Sequence, residues 1–249
     1  MIAARSVGLS AFPLLAAAIA AAFAAVLAAR FAARHRPHEG VWAVALAMFA
    51  LGSGGMFLGV VDGWSSGEFR VYWLFGAILN VPFLAAGEAY LLTRDRRVAH
   101  VALIVVVALS SYAAWVVVTA PLDMEPLAND LLPLGREAFG AGTVPHRLAQ
   151  YYAFPAYFFL LGGTVWSAWR MRGRPELRGR AGGVTAIAVG ATMVAVGSGV
   201  GAAFGLVPVF SVSLAAGVAI MFWGFLLATR PPLALRRTET MQASPPAAE

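Results

Sequence analysis

The chain has 249 residues, of which 60% are hydrophobic and 12% are charged, and its mean hydropathy is +0.76. Because about a quarter of the residues in a soluble domain are charged, this composition excludes a soluble enzyme and an intrinsically disordered protein. The absence of Cys excludes a disulfide scaffold and a thiolate metal site. The net charge of +6 comes from Arg alone, since the chain has no Lys.

Seven segments are apolar over the roughly 20 residues that a membrane-crossing helix needs. The sequence therefore predicts an all-α, polytopic membrane protein whose residues 1–230 form a seven-helix bundle. The first segment is interpreted as a retained helix, because its apolar core exceeds the roughly 7–15 residues of a signal peptide. The predicted spans are Leu9–Ala29, Val41–Val61, Val71–Leu92, Val101–Ala120, Tyr151–Trp169, Val184–Gly205 and Val207–Thr229.

The distribution of Arg predicts the orientation. Fourteen of the 18 Arg follow spans one, three, five and seven, and four lie on the opposite side. The positive-inside rule then places the N-terminus outside and the C-terminus in the cytoplasm. We expect a multi-pass protein of the cell membrane whose Arg-rich cytoplasmic loops contact anionic lipids. This topological role of Arg argues against nucleic acid as a partner, and leaves a protein partner or a homo-oligomer open.

Two segments lie outside the predicted spans. The outer loop, residues 121–150, is long enough that a functional or partly folded segment is expected rather than a simple linker. The tail Pro231–Glu249 is rich in Pro, Ala and Ser, and its composition predicts disorder.

The third span carries most of the candidate functional residues. Trp73 and Asn80 are seven residues apart, which places them on one face of a helix. Asn80 is predicted near mid-membrane, where its amide must find partners inside the bundle. Pro82 removes the hydrogen bond to the carbonyl of Ile78 and predicts a kink close by. Asn80 is therefore either a contact for a ligand or ion, or a hydrogen bond between helices.

Glu88 is the only acid well inside a predicted span. An acidic group in a membrane is costly and is by default a functional candidate. It is either a cavity carboxyl that takes up a proton or a cation, or an interfacial partner of Arg94, Arg96 or Arg97. Because Glu88 is four residues from the end of the span, its position favours the ion pair.

Arg70, Tyr72 and Trp73 lie where the third span begins. Their charge and aromatic rings are typical of a solvated connection with interfacial anchors. Together with the acidic outer loop they are also candidates for the vestibule of a ligand site.

Glycines recur at helical spacing in two spans. Small residues four apart allow helices to approach closely. The sequence therefore predicts packing faces at Gly55, Gly59, Gly197, Gly201 and Gly205.

No cofactor is expected. The four His lie in loops or at helix ends, which argues against haem between helices. Residues Arg70–Phe75, followed by Pro82, resemble part of the third helix of microbial rhodopsins, which share the seven-helix plan. That resemblance covers less than a tenth of the chain. It implies no retinal site, because the last span has no Lys to form a Schiff base, and membership of that family is not inferred.

Two functions remain open at this point. The first is binding or movement of a small solute or lipid-like ligand in a cavity lined by the third span. The second is a non-catalytic sensor, or an accessory subunit of a larger complex. An intramembrane enzyme is a weaker hypothesis, because the spans carry no catalytic set of nucleophile and base.

Overall fold

A computed structural model of the chain describes the backbone of residues 2–229 and the side chains of residues 10–229. All the regular secondary structure in this part of the chain is helical, and it contains no strand. The all-α prediction is therefore confirmed for the described residues. The predicted tail Pro231–Glu249 lies outside them.

Eleven α-helices, two π-helical segments and one short 3₁₀ turn follow one another along the described chain. The π-helical segments are π1, Tyr72–Leu79, and π2, Ala149–Ala153, and the 3₁₀ turn is Pro175–Leu177. The α-helices are α1 Ile2–Arg34, α2 Pro37–Asp62, α3 Ser66–Val71, α4 Asn80–Leu92, α5 Arg96–Thr119, α6 Glu125–Asn129, α7 Gly135–Ala138, α8 Val144–Leu148, α9 Phe154–Arg170, α10 Arg178–Ala203 and α11 Val207–Ala228.

Six helices in the described chain are long and apolar enough to cross a membrane. Each overlaps most of one predicted span, so the chain is an integral membrane protein with several crossings. These helices are Ser10–Arg34, Pro37–Asp62, Ser66–Leu92, Arg96–Thr119, Pro175–Ala203 and Val207–Ala228.

The segment around the fifth predicted span, Tyr151–Trp169, is also helical. There α8, π2 and α9 follow one another without a break over residues 144–170. Gln150 and three Tyr make the first half of this helix less apolar than the six, and it is not one of them. Whether it makes a seventh crossing therefore stays a prediction.

Local sequence explains where several helices begin. Pro37, whose fixed φ suits the first helical turn, opens α2. A capping box opens α3, where Ser65 Oγ accepts from the Glu68 N–H and Glu68 Oε2 accepts from the Ser65 N–H. Asp95 caps α5 by accepting from the N–H of Arg97.

The bundle has two ends, which we name by their contents. At the loop end lie residues 121–143 and the turn between α10 and α11. At the arginine end lie Arg94, Arg96 and Arg97 and the connection 170–180. These names carry no assignment of either end to a side of the membrane.

Glycine backbones form the interface between α10 and α11. A Cβ built on Gly190 would lie 2.5 Å from the carbonyl oxygen of Gly217, and one on Gly183 would clash with Gly224. Because Gly183 and Gly190 are seven residues apart, as are Gly217 and Gly224, each pair lies along one face of its helix. These four glycines, which sequence reasoning did not single out, let the two backbones touch.

The five predicted packing glycines have three different surroundings. Gly197 faces Ser213 and Gly201 faces Phe210, so both continue the interface between α10 and α11. Gly55 lies against the backbone of residues 68–72, and Gly59 lies under the indole of Trp64. Gly205 has a φ of +64° in the turn, with open space around the position of a Cβ.

Candidate functional site

Two cavities lie inside the helix bundle. The loop-end cavity has a volume of about 370 Å³ and the arginine-end cavity about 420 Å³. Both fall within the roughly 300–1,000 Å³ of small-molecule sites. Four apolar side chains, Leu46, Leu84, Leu160 and Met221, line both cavities. The cavities are therefore stacked end to end, and these four side chains form an apolar layer between them.

The loop-end cavity has mainly apolar walls, contributed by α2, π1, α4, α7, α8, π2, α9, α10 and α11. The polar groups among its walls are few, and most are uncharged. They are Ser53, Tyr72, Asn80, Arg136, His146, Gln150, Tyr157 and Ser198.

The two π-helical segments both line this cavity. Gly76 and Ala77 of π1 and Gln150 and Ala153 of π2 are wall residues. A π-helical turn departs from the i→i+4 hydrogen-bond ladder, and such turns occur frequently at functional sites. The backbone of π1 also packs closely against α2, because a Cβ on Gly52 of α2 would lie 2.6 Å from the Cα of Gly76.

Asn80 lies at the junction of π1 and α4 and is 3% exposed. Its Nδ2 donates to the carbonyl oxygens of Phe75 and Gly76, at 2.8 and 2.7 Å. Its amide therefore bonds within its own helix rather than to another one. The irregular backbone also lies before Asn80, in π1, rather than at Pro82.

The side-chain oxygen of Asn80, unlike its nitrogen, makes no hydrogen bond within the described chain. Within the described chain no group donates a hydrogen bond to Oδ1, although Asn80 lines the loop-end cavity. Because both N–H donors of the amide are directed to fixed carbonyls, the orientation of the oxygen is also fixed. The site thus presents one oriented acceptor in a largely apolar cavity.

The other candidates of the third span have different positions. Tyr72 lines the loop-end cavity and is buried. Trp73 also lines it, and its indole Nε1 donates to the carbonyl of Pro145, at 3.1 Å. Arg70 is not a wall residue. Its guanidinium donates to the carbonyls of Val117 and Ala120, which end α5.

Residues 121–143 form a folded lid over the loop end. Trp64 Nε1 donates to the carbonyl of Leu131, at 3.2 Å, and the ring of Trp73 lies directly over Gly135. Phe139 packs against Phe69 and Trp73. Two indoles from the bundle thus hold the lid, and sequence reasoning missed both the role of Trp64 and the glycine that accommodates Trp73.

Glu88 lines the arginine-end cavity and is 3% exposed. Its Oε1 lies 2.9 Å from the position of a Cβ on Gly163, so its carboxyl packs against α9. The ion pair expected with Arg94, Arg96 or Arg97 is not present. The ion pairs in the described chain join Arg30 to Glu39 and Arg136 to Glu137.

Sequence reasoning did not recognise a second buried acid, Glu39. It lies in the first turn of α2, is 2% exposed, and its Oε1 is 3.1 Å from Arg30 Nε. The guanidinium of Arg30 also lies over the ring of Phe225, at 4.9 Å. The sequence signal was Pro37 followed by an acid, which is typical of a first helical turn rather than a loop.

The chain was compared with protein-family models, with curated protein sequences and with solved structures, and none of the three comparisons gives a match. Within the described residues, no group of three or more His, Asp or Glu is placed to hold a metal ion. The two cavities are therefore the features of the described chain that point to a function.

The two buried acids are expected to respond oppositely to the same substitution. Glu88→Gln keeps the shape of the side chain and removes the cost of burying a charge without a partner. We expect its melting temperature in detergent to stay equal to wild type or to rise. Glu39→Gln leaves Arg30 without its carboxylate, and we expect a lower melting temperature. The loss in free energy of unfolding should be smaller than the roughly 3–5 kcal/mol of a fully buried pair, because Arg30 is partly exposed. A clear loss of stability in Glu88→Gln would show that the Glu88 carboxylate has a stabilising partner.

Proposed function

We propose that this membrane protein binds a small, uncharged, lipid-like ligand in the loop-end cavity, and that the ligand donates a hydrogen bond to Asn80. The oriented Oδ1 of Asn80, in a cavity with mainly apolar walls, is the observation that carries this proposal. An apolar site with a few placed polar groups is typical of small-molecule recognition. A ligand with a hydroxyl or amide N–H on an apolar body fits both features.

The position of the cavity entrance supports a ligand that comes from the bilayer. Five wall residues are also exposed, namely Arg136 of the lid, Gln150 and Phe154 on one helix, and Gly199 and Ala203 on α10. Because four of these five lie on the helix 144–170 and on α10, they favour a sideways opening between the two. A lateral opening of this kind admits a molecule dissolved in lipid, whereas the lid covers the loop end.

The stacked cavities favour movement of the ligand over binding alone. The apolar layer of Leu46, Leu84, Leu160 and Met221 is the shared boundary of the two cavities. A rearrangement of this layer would join them into one path through the bundle.

The alternative function is a non-catalytic sensor or accessory subunit. The lid favours it, because the ring of Trp73 both lines the loop-end cavity and lies directly over Gly135 of the lid. A ligand that moves this indole would change the lid. Transport requires the apolar layer to open, whereas sensing requires only the lid to respond, and accessibility labelling of the two places separates these functions.

Ligand binding is tested with two neighbouring positions on α10. Ala195 lines the loop-end cavity, whereas Val196 is 55% exposed and does not line it. Ala195→Phe should therefore fill the cavity, and Val196→Phe should add the same ring outside it. The probe is a long-chain alcohol that carries a photoreactive diazirine, and the measurement is covalent labelling of the purified full-length protein.

We expect labelling to fall at least about tenfold in Ala195→Phe and to stay unchanged in Val196→Phe, because a filled cavity loses the apolar contacts of the ligand. Equal labelling of both variants and wild type would place the probe on the outer surface and contradict the proposal.

The seven-crossing topology is the membrane arrangement that we propose with this function. The asymmetry of Arg supports an external N-terminus and a cytoplasmic C-terminus in the cell membrane. A reporter fused after Arg237 is then expected to be cytoplasmic, and a tag inserted near Asn129 to be accessible from outside. Labelling of the Asn129 tag only from the cytoplasmic side would contradict this topology.

A further inference from the structure

The arginine-end cavity contains an excess of positive charge. Arg170, Arg174 and Arg180 line it, and Glu88 is its only acidic wall residue. None of these three Arg forms an ion pair within the described chain. Arg30, at the same end of the bundle, is different, because Glu39 neutralises it.

Apart from these Arg, Glu88, Thr164 and Ser167, the walls of this cavity are mainly apolar. Its walls come from α1, α2, α4, α9, α10 and α11 and enclose a volume of about 420 Å³. Three guanidinium groups and an apolar pocket therefore occur in one place, which is the combination that a molecule with an anionic head and a hydrocarbon chain requires. The main apolar wall residues are Phe23, Leu27, Leu91, Val184, Ile187 and Phe225.

The position of Glu88 is compatible with such a ligand. Its carboxyl packs against Gly163, seven residues before Arg170 on the same helix. Seven residues of α-helix correspond to roughly 10 Å along the axis. The backbone of Arg170 is therefore about two helical turns along α9 from the point where the acid packs.

We propose that the arginine-end cavity is a binding site for an anionic amphiphile, with its phosphate held by Arg170, Arg174 and Arg180 and its acyl chain in the apolar walls. Guanidinium groups bind phosphate oxygens through paired, charge-assisted hydrogen bonds. A phospholipid headgroup and a free phosphate share this chemistry, and the apolar walls favour the phospholipid. In the structure the apolar layer separates this site from the loop-end cavity, so an amphiphile can occupy it without a ligand in the other cavity.

The connection 170–180 offers a matched test, because it contains five Arg of which three line the cavity. Arg174→Gln/Arg180→Gln removes two cavity charges. Arg172→Gln/Arg178→Gln removes two charges from the same connection that do not line it. All four side chains are exposed, so neither variant disturbs the packed interior. The full-length protein is titrated in neutral detergent with short-chain phosphatidic acid, short-chain phosphatidylcholine and inorganic phosphate, and binding is followed by thermal shift.

We expect the cavity variant to bind phosphatidic acid about tenfold more weakly than wild type, which corresponds to the loss of charge-assisted hydrogen bonds. The control variant should bind it within about threefold of wild type. Phosphatidylcholine and inorganic phosphate should both bind more weakly than phosphatidic acid, since one lacks net charge and the other lacks a chain.

Two results would overturn the proposal. Equal weakening in both double variants would show that only the general surface charge attracts the lipid. Inorganic phosphate that binds as tightly as phosphatidic acid would show that the apolar walls contribute nothing. Because Ala195→Phe alters the other cavity, it should leave phosphatidic acid binding unchanged, so a failure of this proposal is distinguishable from a failure of the loop-end site.

Discussion

Asn80→Asp is expected to destabilise the protein severely. The substitution replaces Nδ2 by an oxygen that faces the carbonyls of Phe75 and Gly76, which now lie 2.8 and 2.7 Å from the amide nitrogen. Two buried hydrogen bonds are lost, each worth about 0.5–1.5 kcal/mol, the new oxygen repels the two carbonyl oxygens, and a buried charge without a partner adds several kcal/mol. We therefore expect little folded protein after extraction into mild detergent, or a melting temperature well below wild type.

Asn129→Asp is the matched control for this substitution. Asn129 ends α6 and is exposed, and its Nδ2 donates to the carbonyl of Glu125, at 3.0 Å. The same chemical change is expected to stay within about 0.5 kcal/mol there, because water replaces the lost bond. Similar melting temperatures for the two Asp variants would show that the amide of Asn80 does not hold π1 in place.

Gly190→Ala is the second substitution with a large expected effect. A Cβ at this position would lie 2.5 Å from the carbonyl oxygen of Gly217 and 2.8 Å from the backbone nitrogen of Met221. Backbone atoms cannot rotate away as a side chain can, so α10 and α11 must separate. We expect a loss of about 1–3 kcal/mol from overpacking, measured as a lower melting temperature of the purified protein.

The control on the same helix is Gly182→Ala. A Cβ built on Gly182 meets no atom within 4 Å. There the substitution should be neutral or stabilise the protein by up to about 1 kcal/mol, as Ala does in soluble helices. Gly201→Leu should act in the same direction as Gly190→Ala, since a Cβ at Gly201 would lie 2.7 Å from the Cβ of Phe210. Unchanged melting of Gly190→Ala would mean that α10 and α11 are further apart than described here.

The sequence predicts only some of the glycines at the interface between α10 and α11. The four-residue spacing of glycines predicts a packing face that includes Gly197 and Gly201, and both face α11. That spacing does not include Gly190 and Gly183, which lie seven and fourteen residues before Gly197 on the same face of the helix. The partner glycines, Gly217 and Gly224, become significant only when α11 is known to pack antiparallel to α10.

The sequence identifies two polar residues of the cavities, Asn80 and Glu88, but not the groups that they contact. Asn80 and Glu88 were selected because polar groups in a membrane are costly, and each lines a cavity. Their partners were not predictable. Asn80 bonds to carbonyls of π1, and a π-helical turn has no clear signal in a sequence of apolar residues. Glu88 faces Gly163 on a helix more than seventy residues later, so nearby Arg residues were considered instead.

The sequence by itself determined that this is a helical membrane protein with several crossings. Runs of about 20 apolar residues are stable in a bilayer only as helices, because each backbone polar group must be satisfied within its own segment. Helix starts likewise follow from local chemistry, because Pro37 fixes its own φ, and Ser65 and Asp95 accept from backbone N–H groups two or three residues later.

Only the tertiary structure decided how the helices are placed around the two cavities. In lipid, apolar side chains have nearly the same free energy against a neighbouring helix as against an acyl chain, so hydropathy does not specify which helices pack together. Close backbone contacts, such as Gly190 against Gly217, and side-chain bonds between distant segments, such as Trp73 to Pro145, make that choice. Both depend on residues far apart in the chain, which is why the apolar layer and the two cavities on either side of it appear only in the folded protein.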